Sequence, residues 1–370
     1  MADCFNIEQL IRENIRMLEP YASARDEFSG SASVFLDANE SPYNRYAMSG
    51  GLEDGKTGPL LNRYPDPGQR ALKKDVARLK GLDESFVFLG NGSDEGIDLL
   101  FRVLCEPGRD NVVTVDPTYG MYRVCARINN VEQRSVLLRP DFSLDPSRVL
   151  EAVDENTRMV FLCSPNNPTA NAMDESAVDL LLKALNCFLV IDEAYIDFSS
   201  SPGFLSRLKE EPKLIILQTL SKAWGLAGIR LGMVFAHPVL NTYLRAVKYP
   251  YNLNSLSMDV ARQALKQRHS HRKRVEQILA GRARLSDRLK AFSFVEMVYP
   301  SDANFLLVKV SDPIRLYRDL MAAGIIVRDR STVPLCDGCI RISVGTEEEH
   351  ETLLQEMKRL EKTYSAGSGL

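Results

Sequence analysis

The sequence lacks a charge bias and long apolar runs. Its 370 residues include 46 lysines and arginines against 49 aspartates and glutamates, a net charge of −3, so the basic excess typical of nucleic-acid-binding proteins is missing. No stretch approaches the roughly 18 apolar residues of a membrane span. The charged, amphipathic segment 7–17 has no apolar core of the kind that a secretion signal requires. We therefore expect a cytoplasmic protein that binds neither nucleic acid nor a membrane.

Cysteine and histidine are also too sparse for a disulfide framework or a zinc site. Seven cysteines, an odd number, are scattered along the chain, which favours reduced thiols. Cys336 and Cys339 have metal-ligand spacing, but no second such pair and no histidine pair accompanies them. We expect no metal. The sequence has no internal repeat, and the short basic run 267–274 is predicted to lie on the solvated face of a helix.

What the chain does have is enough apolar sequence for a large core. Hydrophobic residues make up 45% of it, and its length indicates two domains. Strands and helices are predicted to alternate from about residue 68 to 236, which is typical of an α/β domain with a mostly parallel sheet. A helical stretch to about 292, a strand at 303–310, a helix and a strand at 339–344 follow. We predict an N-terminal arm (1–42) that joins a smaller α+β domain (245–370), with a large domain at 43–244.

Four apolar stretches of strand length each run into polar residues. They are 111–115, 158–163, 187–192 and 213–219, and none has a helical period. In open α/β sheets, ligands bind along the edge where parallel strands have their carboxyl ends. Residues that are distant in sequence are therefore expected to form one site at that edge.

The residues at these strand ends suit the chemistry of pyridoxal phosphate. This cofactor accepts electrons only while its ring nitrogen is protonated, which requires a neighbouring carboxylate, and its aldehyde requires a lysine. Asp192 and Lys222 match these two needs, and they are thirty residues apart. Tyr195 and Asn167 are candidate hydrogen-bond donors to the ring's phenolate oxygen, and Tyr119 offers a flat face for stacking.

A phosphate site is predicted beside them. Segment 86–100 has the pattern of a strand, a glycine turn and the start of a helix, and the free amides of a helix N-terminus bind anions. Arg230 adds a forked cation that can hold two phosphate oxygens. The predicted cofactor ligands in this region are Gly92, Ser93, Asp94, Thr219, Ser221 and Arg230.

Taken singly, each of these features has an ordinary structural explanation, such as a helix cap or a core aromatic, but together and in this order they carry a resemblance. The chain resembles the fold-type I aminotransferases, and more narrowly the histidinol-phosphate aminotransferases. The resemblance covers nearly the whole chain. Its motifs are Asp-Ala-Asn-Glu (37–40), Arg-Tyr-Pro-Asp-Pro (63–67), Pro-Asn-Asn-Pro (165–168), Asp-Glu-Ala-Tyr (192–195), the stretch 219–230 around Ser-Lys, and the late arginines 328 and 341.

The resemblance implies a role for each cofactor residue. Lys222 is expected to carry the cofactor as an aldimine and then to move a proton during the reaction. Asp192 would hold the ring nitrogen, while Asn167 and Tyr195 would hold the phenolate oxygen. Tyr64 is similar to a tyrosine that reaches across a dimer interface to the neighbour's cofactor phosphate, so we expect a homodimer with composite active sites.

The resemblance also implies the substrates, L-histidinol phosphate and 2-oxoglutarate, in a transamination of histidine biosynthesis. Arg328 and Arg341 would bind the substrate phosphate, Arg341 would also bind the carboxylate of glutamate, and Tyr21 and Asn39 would line the substrate side. From spacing alone, the two arginines are more often ordinary surface charges on a small sheet.

Three other functions and two departures from the family pattern remain open at this point. The alternatives are an aromatic amino acid aminotransferase, a threonine-phosphate decarboxylase and a non-catalytic regulator, although no appended DNA-binding domain is present. Ala170 stands where a glycine usually follows Asn-Pro-Thr, so a left-handed backbone there would cost more. The glycine-containing stretch 44–61 is longer than usual and is predicted to be a loop near the composite site.

Overall fold

The computed structural model describes residues 5–19, 38–41 and 61–367. The helices are α1 (Ile7–Leu10), α2 (Glu13–Arg16), α3 (Arg70–Lys80), α4 (Gly92–Leu104), α5 (Met121–Ile128), α6 (Pro146–Glu151), α7 (Glu175–Ala184), α8 (Pro238–Val247), α9 (Ser255–Leu265), α10 (Arg268–Leu289), α11 (Pro313–Ala322) and α12 (Glu347–Gly367). The strands are β1 (Val87–Asn91), β2 (Asn111–Asp116), β3 (Glu132–Leu137), β4 (Thr157–Cys163), β5 (Phe188–Asp192), β6 (Leu214–Thr219), β7 (Leu231–Phe235), β8 (Val295–Val298), β9 (Phe305–Val310), β10 (Arg328–Asp329) and β11 (Cys339–Ser343).

The large sheet has seven strands in the order β1-β7-β6-β5-β4-β2-β3. Strand β7 pairs antiparallel with both β1 and β6, and the remaining pairs are parallel. The prediction of a mostly parallel sheet is confirmed. Because only β7 runs the opposite way, its first residue lies at the same edge as the carboxyl ends of β1, β2, β4, β5 and β6.

Both faces of this sheet are buried, which explains why its strands are continuously apolar. Successive residues alternate between two cores: Leu189 and Ile191 contribute to one, and Phe188 and Val190 to the other. Helices cover both faces and fix the sheet in place. The loops at the carboxyl edge are therefore carried by a rigid support.

The N-terminal segment packs on the large domain in the described residues. The Phe5 ring meets Phe188 edge-on at 5.4 Å, and Ile7 and Ile11 are buried in the same core as Phe188. Arg12 forms an ion pair with Glu106 on the large domain. This differs from the expectation that the arm joins the smaller domain, because the apolar side chains of residues 5–11 face the large sheet.

The smaller sheet is antiparallel, with the order β10-β11-β9-β8. Its core is formed with α10, α11 and α12. Helix α9 packs against α3 instead, so the large core extends beyond the expected boundary at residue 244. In the described residues, no helix is both long and apolar enough to cross a membrane.

The basic run 267–274 starts α10 and is exposed, as predicted, with one exception. The His271 ring is 8% exposed and stacks on Trp224, with centroids 3.9 Å apart and planes 3° from parallel. The long helix therefore contacts the loop that carries Lys222.

Candidate active site

The predicted site residues converge at the carboxyl edge of the large sheet. One pocket is lined by residues that follow β1, β2, β4, β5 and β6 and that precede β7: Ser93, Asp94, Tyr119, Cys163, Asn167, Asp192, Ala194, Tyr195, Thr219, Ser221, Lys222, Ala227 and Arg230. All but two of the predicted cofactor residues are in this set, the exceptions being Gly92 and Tyr64. The antiparallel β7 explains why Arg230, just before that strand, reaches the same edge.

Asp192 is a buried acid at the end of β5, 3% exposed. Its Oδ2 accepts a hydrogen bond from the Tyr122 hydroxyl at 2.9 Å, and its Oδ1 accepts one from the Ala194 amide at 3.0 Å. Burial raises the pKa of Asp192 to about 6, although these two donors oppose the rise. A buried carboxylate that forms no ion pair among the described residues is suited to a ligand that brings a cation.

Lys222 lies in the loop between β6 and β7. The Thr219 hydroxyl orients this loop, because it accepts from the Ser221 amide at 3.1 Å and is 3.0 Å from the Leu231 carbonyl. The Lys222 Nζ is 5.4 Å from the centre of the Tyr195 ring. Burial and the nearby Arg341 lower the pKa of Lys222. A lowered pKa leaves more of the amine neutral, and the neutral amine is the nucleophile and base.

An anion cradle faces these residues at the start of α4. The Asn91 side chain does not cap this helix, so the first amides, including those of Ser93 and Asp94, have no partner within the helix. Arg230 has a left-handed backbone, with φ of 53°. Its Nη2 is 3.3 Å from Asp94 Oδ2, and the Tyr119 hydroxyl donates to Asp94 Oδ1 at 3.0 Å.

Two glycines allow the start of α4 to lie close to Arg230 and to strand β7. A Cβ on Gly92, whose φ is +78°, would lie 2.7 Å from Arg230 Nη2. A Cβ on Gly232 would lie 2.2 Å from the backbone of Gly92 and Ser93. The start of α4 therefore packs directly on the backbone of β7. Gly232 was not among the predicted residues, since its role depends on the contact between two distant segments.

A second pocket adjoins the first and is rich in arginine. It shares Tyr119, Asn167, Tyr195 and Lys222 with the first pocket, and it is also lined by Arg123, Arg328, Arg330 and Arg341. Arg328 and Arg341 are directly opposite each other in the β10–β11 pair. The Arg341 Nη1 donates to Asn167 Oδ1. The small domain thus brings both predicted substrate arginines to the cofactor pocket.

Three predicted residues lie elsewhere. Tyr64 is 51% exposed, and its ring stacks on Tyr251 at 4.5 Å; it lines neither pocket. Asn39 is exposed and belongs to segment 38–41, which is joined to Asn62 by a 2.8 Å hydrogen bond to Ser41. Tyr21 lies outside the described residues, as does nearly all of the loop 44–61.

Besides Gly232, sequence reasoning missed two polar residues on which the arguments below depend. Tyr122 is completely buried and holds Asp192; it lies in α5, three residues after Tyr119, which precedes that helix. Arg330 lines the arginine pocket two residues after Arg328, but β10 is too short to give a period in the sequence, so only its pairing with β11 shows that the two arginines share a face.

Comparison with known proteins gives consistent matches over most of the chain. Residues 36–357 match the family model for aminotransferase class I and II. Histidinol-phosphate aminotransferases from Parabacteroides distasonis and Bacteroides fragilis are 51% and 47% identical, over 96% and 95% of this chain and 99% of each relative.

Solved structures agree with these matches. A histidinol-phosphate aminotransferase from Sinorhizobium meliloti, in complex with pyridoxal-5'-phosphate, is 26% identical with a TM-score of 0.75, over 82% of this chain and 84% of that one. The enzyme from Clostridium acetobutylicum has a TM-score of 0.76 at 24% identity, over 82% and 92%, a likeness of fold.

Proposed function

This chain belongs to the class I and II aminotransferases, and we infer that it transfers the amino group of L-histidinol phosphate to 2-oxoglutarate with pyridoxal 5'-phosphate as its cofactor. The products are imidazole acetol phosphate and L-glutamate, in a step of histidine biosynthesis. The observation that carries the proposal is the continuity of the two pockets, since Lys222, Asn167 and Tyr195 line both the cofactor side and the arginine side.

The residues of the first pocket fit pyridoxal phosphate. Asp192 is a buried carboxylate whose pKa is raised to about 6 by burial, and a protonated ring nitrogen would supply the missing cation. The uncapped start of α4 and Arg230 fit a phosphate group. Asp192 and the anion cradle line the same pocket as Lys222. This lysine supplies the amine that the aldehyde of the cofactor requires.

Bound pyridoxal phosphate supplies an electron sink for the negative charge that develops on the substrate's amine-bearing carbon. We propose that Lys222 Nζ takes the proton from that carbon and later returns a proton. The lowered pKa of Lys222 supports this role, because a base works best when its pKa approaches the working pH.

The remaining residues hold groups in place. Tyr195 is buried and its pKa is raised, chiefly by burial, so it stays protonated and can donate a hydrogen bond. Asn167 is a second donor on the same side, and Tyr119 limits the movement of the ring plane. In this proposal, Ser93, Ser221 and Arg230 contact the phosphate of the cofactor.

Substrate binding is assigned to the small domain. Arg328 and Arg341 would hold the phosphate of L-histidinol phosphate, since paired guanidinium groups favour this anion. In the other half of the reaction, Arg341 would hold the carboxylate of glutamate. The contact of Arg341 with Asn167 supports this arrangement, because it connects the anion site to the cofactor side.

We also propose that the enzyme is a homodimer with composite sites. Tyr64 is half-exposed, lines neither of the two pockets described above and stacks on Tyr251, as expected of a side chain that completes a neighbouring site. A cytoplasmic location is proposed as well. The six cysteines in the described part of the chain are buried and free, which suits a reducing compartment.

The test is to add L-histidinol phosphate to the purified enzyme in its pyridoxal form, without an oxo acid, and to record the absorption spectrum. We expect conversion of the cofactor to its pyridoxamine form, reversed by 2-oxoglutarate. Reaction with phenylalanine but not with L-histidinol phosphate would indicate an aromatic aminotransferase. Release of carbon dioxide from threonine phosphate would indicate a decarboxylase.

A further inference from the structure

Arg330 was not among the expected substrate residues, yet it lies in the same pocket. Strand β10 places Arg328 directly opposite Arg341. The chain continues in extended pairing, because the Arg330 amide donates to the Cys339 carbonyl at 2.9 Å. Arg328 and Arg330 are two residues apart and share a face. Three guanidinium groups therefore line one pocket beside Lys222.

Carboxylates lie near these three arginines, but none of those in the described part of the chain forms an ion pair with them. None of the three arginines is in an ion pair there. Asp329 lies between two of them in sequence, but its Oδ1 accepts from the amide and hydroxyl of Ser331. Asp116 also lines the pocket, and its carboxylate is held by Arg123 and Ser135. Like charges facing each other across a sheet destabilise it.

Arg330 has a second feature that points to a ligand. Its Nε is buried and has no hydrogen-bond partner among the described residues. Burial and then Arg328 lower its pKa, and the pKa of Arg341 is lowered by burial and then by Arg330. A folded protein tolerates such mutual repulsion most easily where an anion relieves it.

We propose that Arg330 is a third ligand for the substrate's phosphate and that it makes this pocket selective for a phosphate over a carboxylate. A phosphate monoester carries a charge between −1.5 and −2 at neutral pH and three acceptor oxygens, which is enough to engage three guanidinium groups. A carboxylate carries one charge and two oxygens, so two arginines saturate it. This inference rests on the proposed function.

The experiment compares Arg330→Gln with the wild-type holoenzyme in the two half reactions. For L-histidinol phosphate, we expect kcat/KM to fall by about ten- to a hundredfold, mostly through KM, since one charge-assisted hydrogen bond is lost. For L-glutamate, we expect a change within about threefold. Inhibition by inorganic phosphate should weaken in parallel. Arg330→Lys, which keeps the charge and loses the fork, should give an intermediate value.

A matched control removes one positive charge elsewhere in the same domain. Arg284 is exposed and forms an ion pair with Glu347 at 2.7 Å, so Arg284→Gln should leave both half reactions unchanged. The loss in Arg330→Gln should also shrink below about pH 6, where the substrate phosphate gains a proton. A purely structural role for Arg330 would not produce this pH dependence.

Two results would overturn the proposal: an equal fall in both half reactions, which indicates a structural role, or no change in either. Thermal unfolding of each variant distinguishes poor folding from poor binding. If Arg330→Gln is unstable, the two half reactions are compared in Arg330→Lys instead. If the wild-type enzyme does not react with L-histidinol phosphate, the proposed function itself fails. Inhibition of the glutamate half reaction by inorganic phosphate, compared between wild type and Arg330→Gln, still decides the role of Arg330.

Discussion

At the scale of single residues, the site contains a buried carboxylate whose ionised form destabilises the fold when no ligand is bound. Asp192 is 3% exposed, and its pKa is raised from the ordinary 3.8 to about 6 by burial. Two hydrogen-bond donors reduce the cost of the charge but do not remove it. Because a bound cation would complete the compensation, part of the cofactor's binding energy is used to relieve this strain.

The first prediction concerns Asp192→Asn in the cofactor-free protein. A folded-state pKa above the unfolded value means that stability is lost as pH rises from about 4 to 6. The variant should therefore be more stable than wild type above pH 6, by up to roughly 3 kcal/mol, and no more stable below pH 4. Its amide can keep both neighbours if the Tyr122 hydroxyl becomes the acceptor. Urea unfolding at pH 4 and pH 8 measures the difference.

The same substitution should abolish most activity, because an amide does not keep the ring nitrogen protonated. We expect kcat to fall by at least about a hundredfold. An equal stability difference at both pH values would contradict the assignment of the strain to the Asp192 charge.

Ala170 shows how a departure from the family pattern is tolerated. Its φ is +67° and its side chain is completely buried beside Tyr195 and Ala223. The left-handed backbone costs an alanine about 1 kcal/mol. Against this, the buried methyl group contributes about 0.8 kcal/mol, and a glycine would lose more backbone entropy on folding. The two sides nearly cancel.

We therefore predict that Ala170→Gly changes the free energy of unfolding by less than about 1 kcal/mol. Ala170→Val should lose several kcal/mol, because a β-branched residue fits the left-handed region poorly and the core has no room for it. Denaturant unfolding of the two variants tests this. A large stabilisation by glycine would show that the methyl group contributes little.

At the scale of elements, the strands of the large sheet could be predicted closely and the small sheet less well. The predicted strand at 187–192 is observed as Phe188–Asp192, and that at 213–219 as Leu214–Thr219. Strands buried on both faces have continuous apolar sequence, which gives a strong signal. Strand β10 has two residues, too few for any period, so the position of Arg330 became clear only from its pairing.

The approach of α4 to β7 also had no signal in the sequence, because it depends on Gly232. We predict that Gly232→Ala weakens cofactor binding by at least about tenfold and destabilises the fold by about 1–3 kcal/mol. The added Cβ would lie 2.2 Å from backbone atoms of Gly92 and Ser93, which cannot rotate away. The start of α4 must then move and the anion cradle must widen. Fluorescence titration with pyridoxal phosphate measures the affinity.

The matched control is Gly228→Ala in the loop just before Arg230. A Cβ at Gly228 meets no atom within 4 Å and its φ is not left-handed, so affinity and stability should stay close to wild type. If Gly232→Ala bound the cofactor as tightly as this control, the close packing of α4 on β7 would not be what forms the cradle.

At the scale of the whole molecule, the described chain assembles most of one active site but leaves Tyr64 outside it. The large domain provides the cofactor pocket and the small domain provides the arginines, joined through Arg341 and Asn167. The cofactor residues were predictable because they lie at strand ends, whereas Arg328 and Arg341 lie within β10 and β11 and were assigned to the substrate through the family resemblance. The proposed contribution of a second chain rests on the family resemblance, because surface aromatic residues alone do not identify their partner.

The last prediction tests the composite site with two variants that are each impaired alone. Tyr64→Phe keeps Lys222, and Lys222→Ala keeps Tyr64. If Tyr64 acts across the dimer interface, a mixed dimer contains one site with both wild-type residues and one site with neither. Refolding an equal mixture should give mixed dimers for about half of the population. Activity should therefore recover to about a quarter of wild type.

Recovery of this kind cannot arise if each Tyr64 serves the pocket of its own chain, because every site would then contain one of the two substitutions. In that case the mixture would show only the average of the two separate variants. Mixing Lys222→Ala with Asp192→Asn is the control, since both residues line one pocket within a single chain and no exchange of subunits can restore it. Recovery in the first mixture and not in the second would establish that Tyr64 completes the neighbouring site.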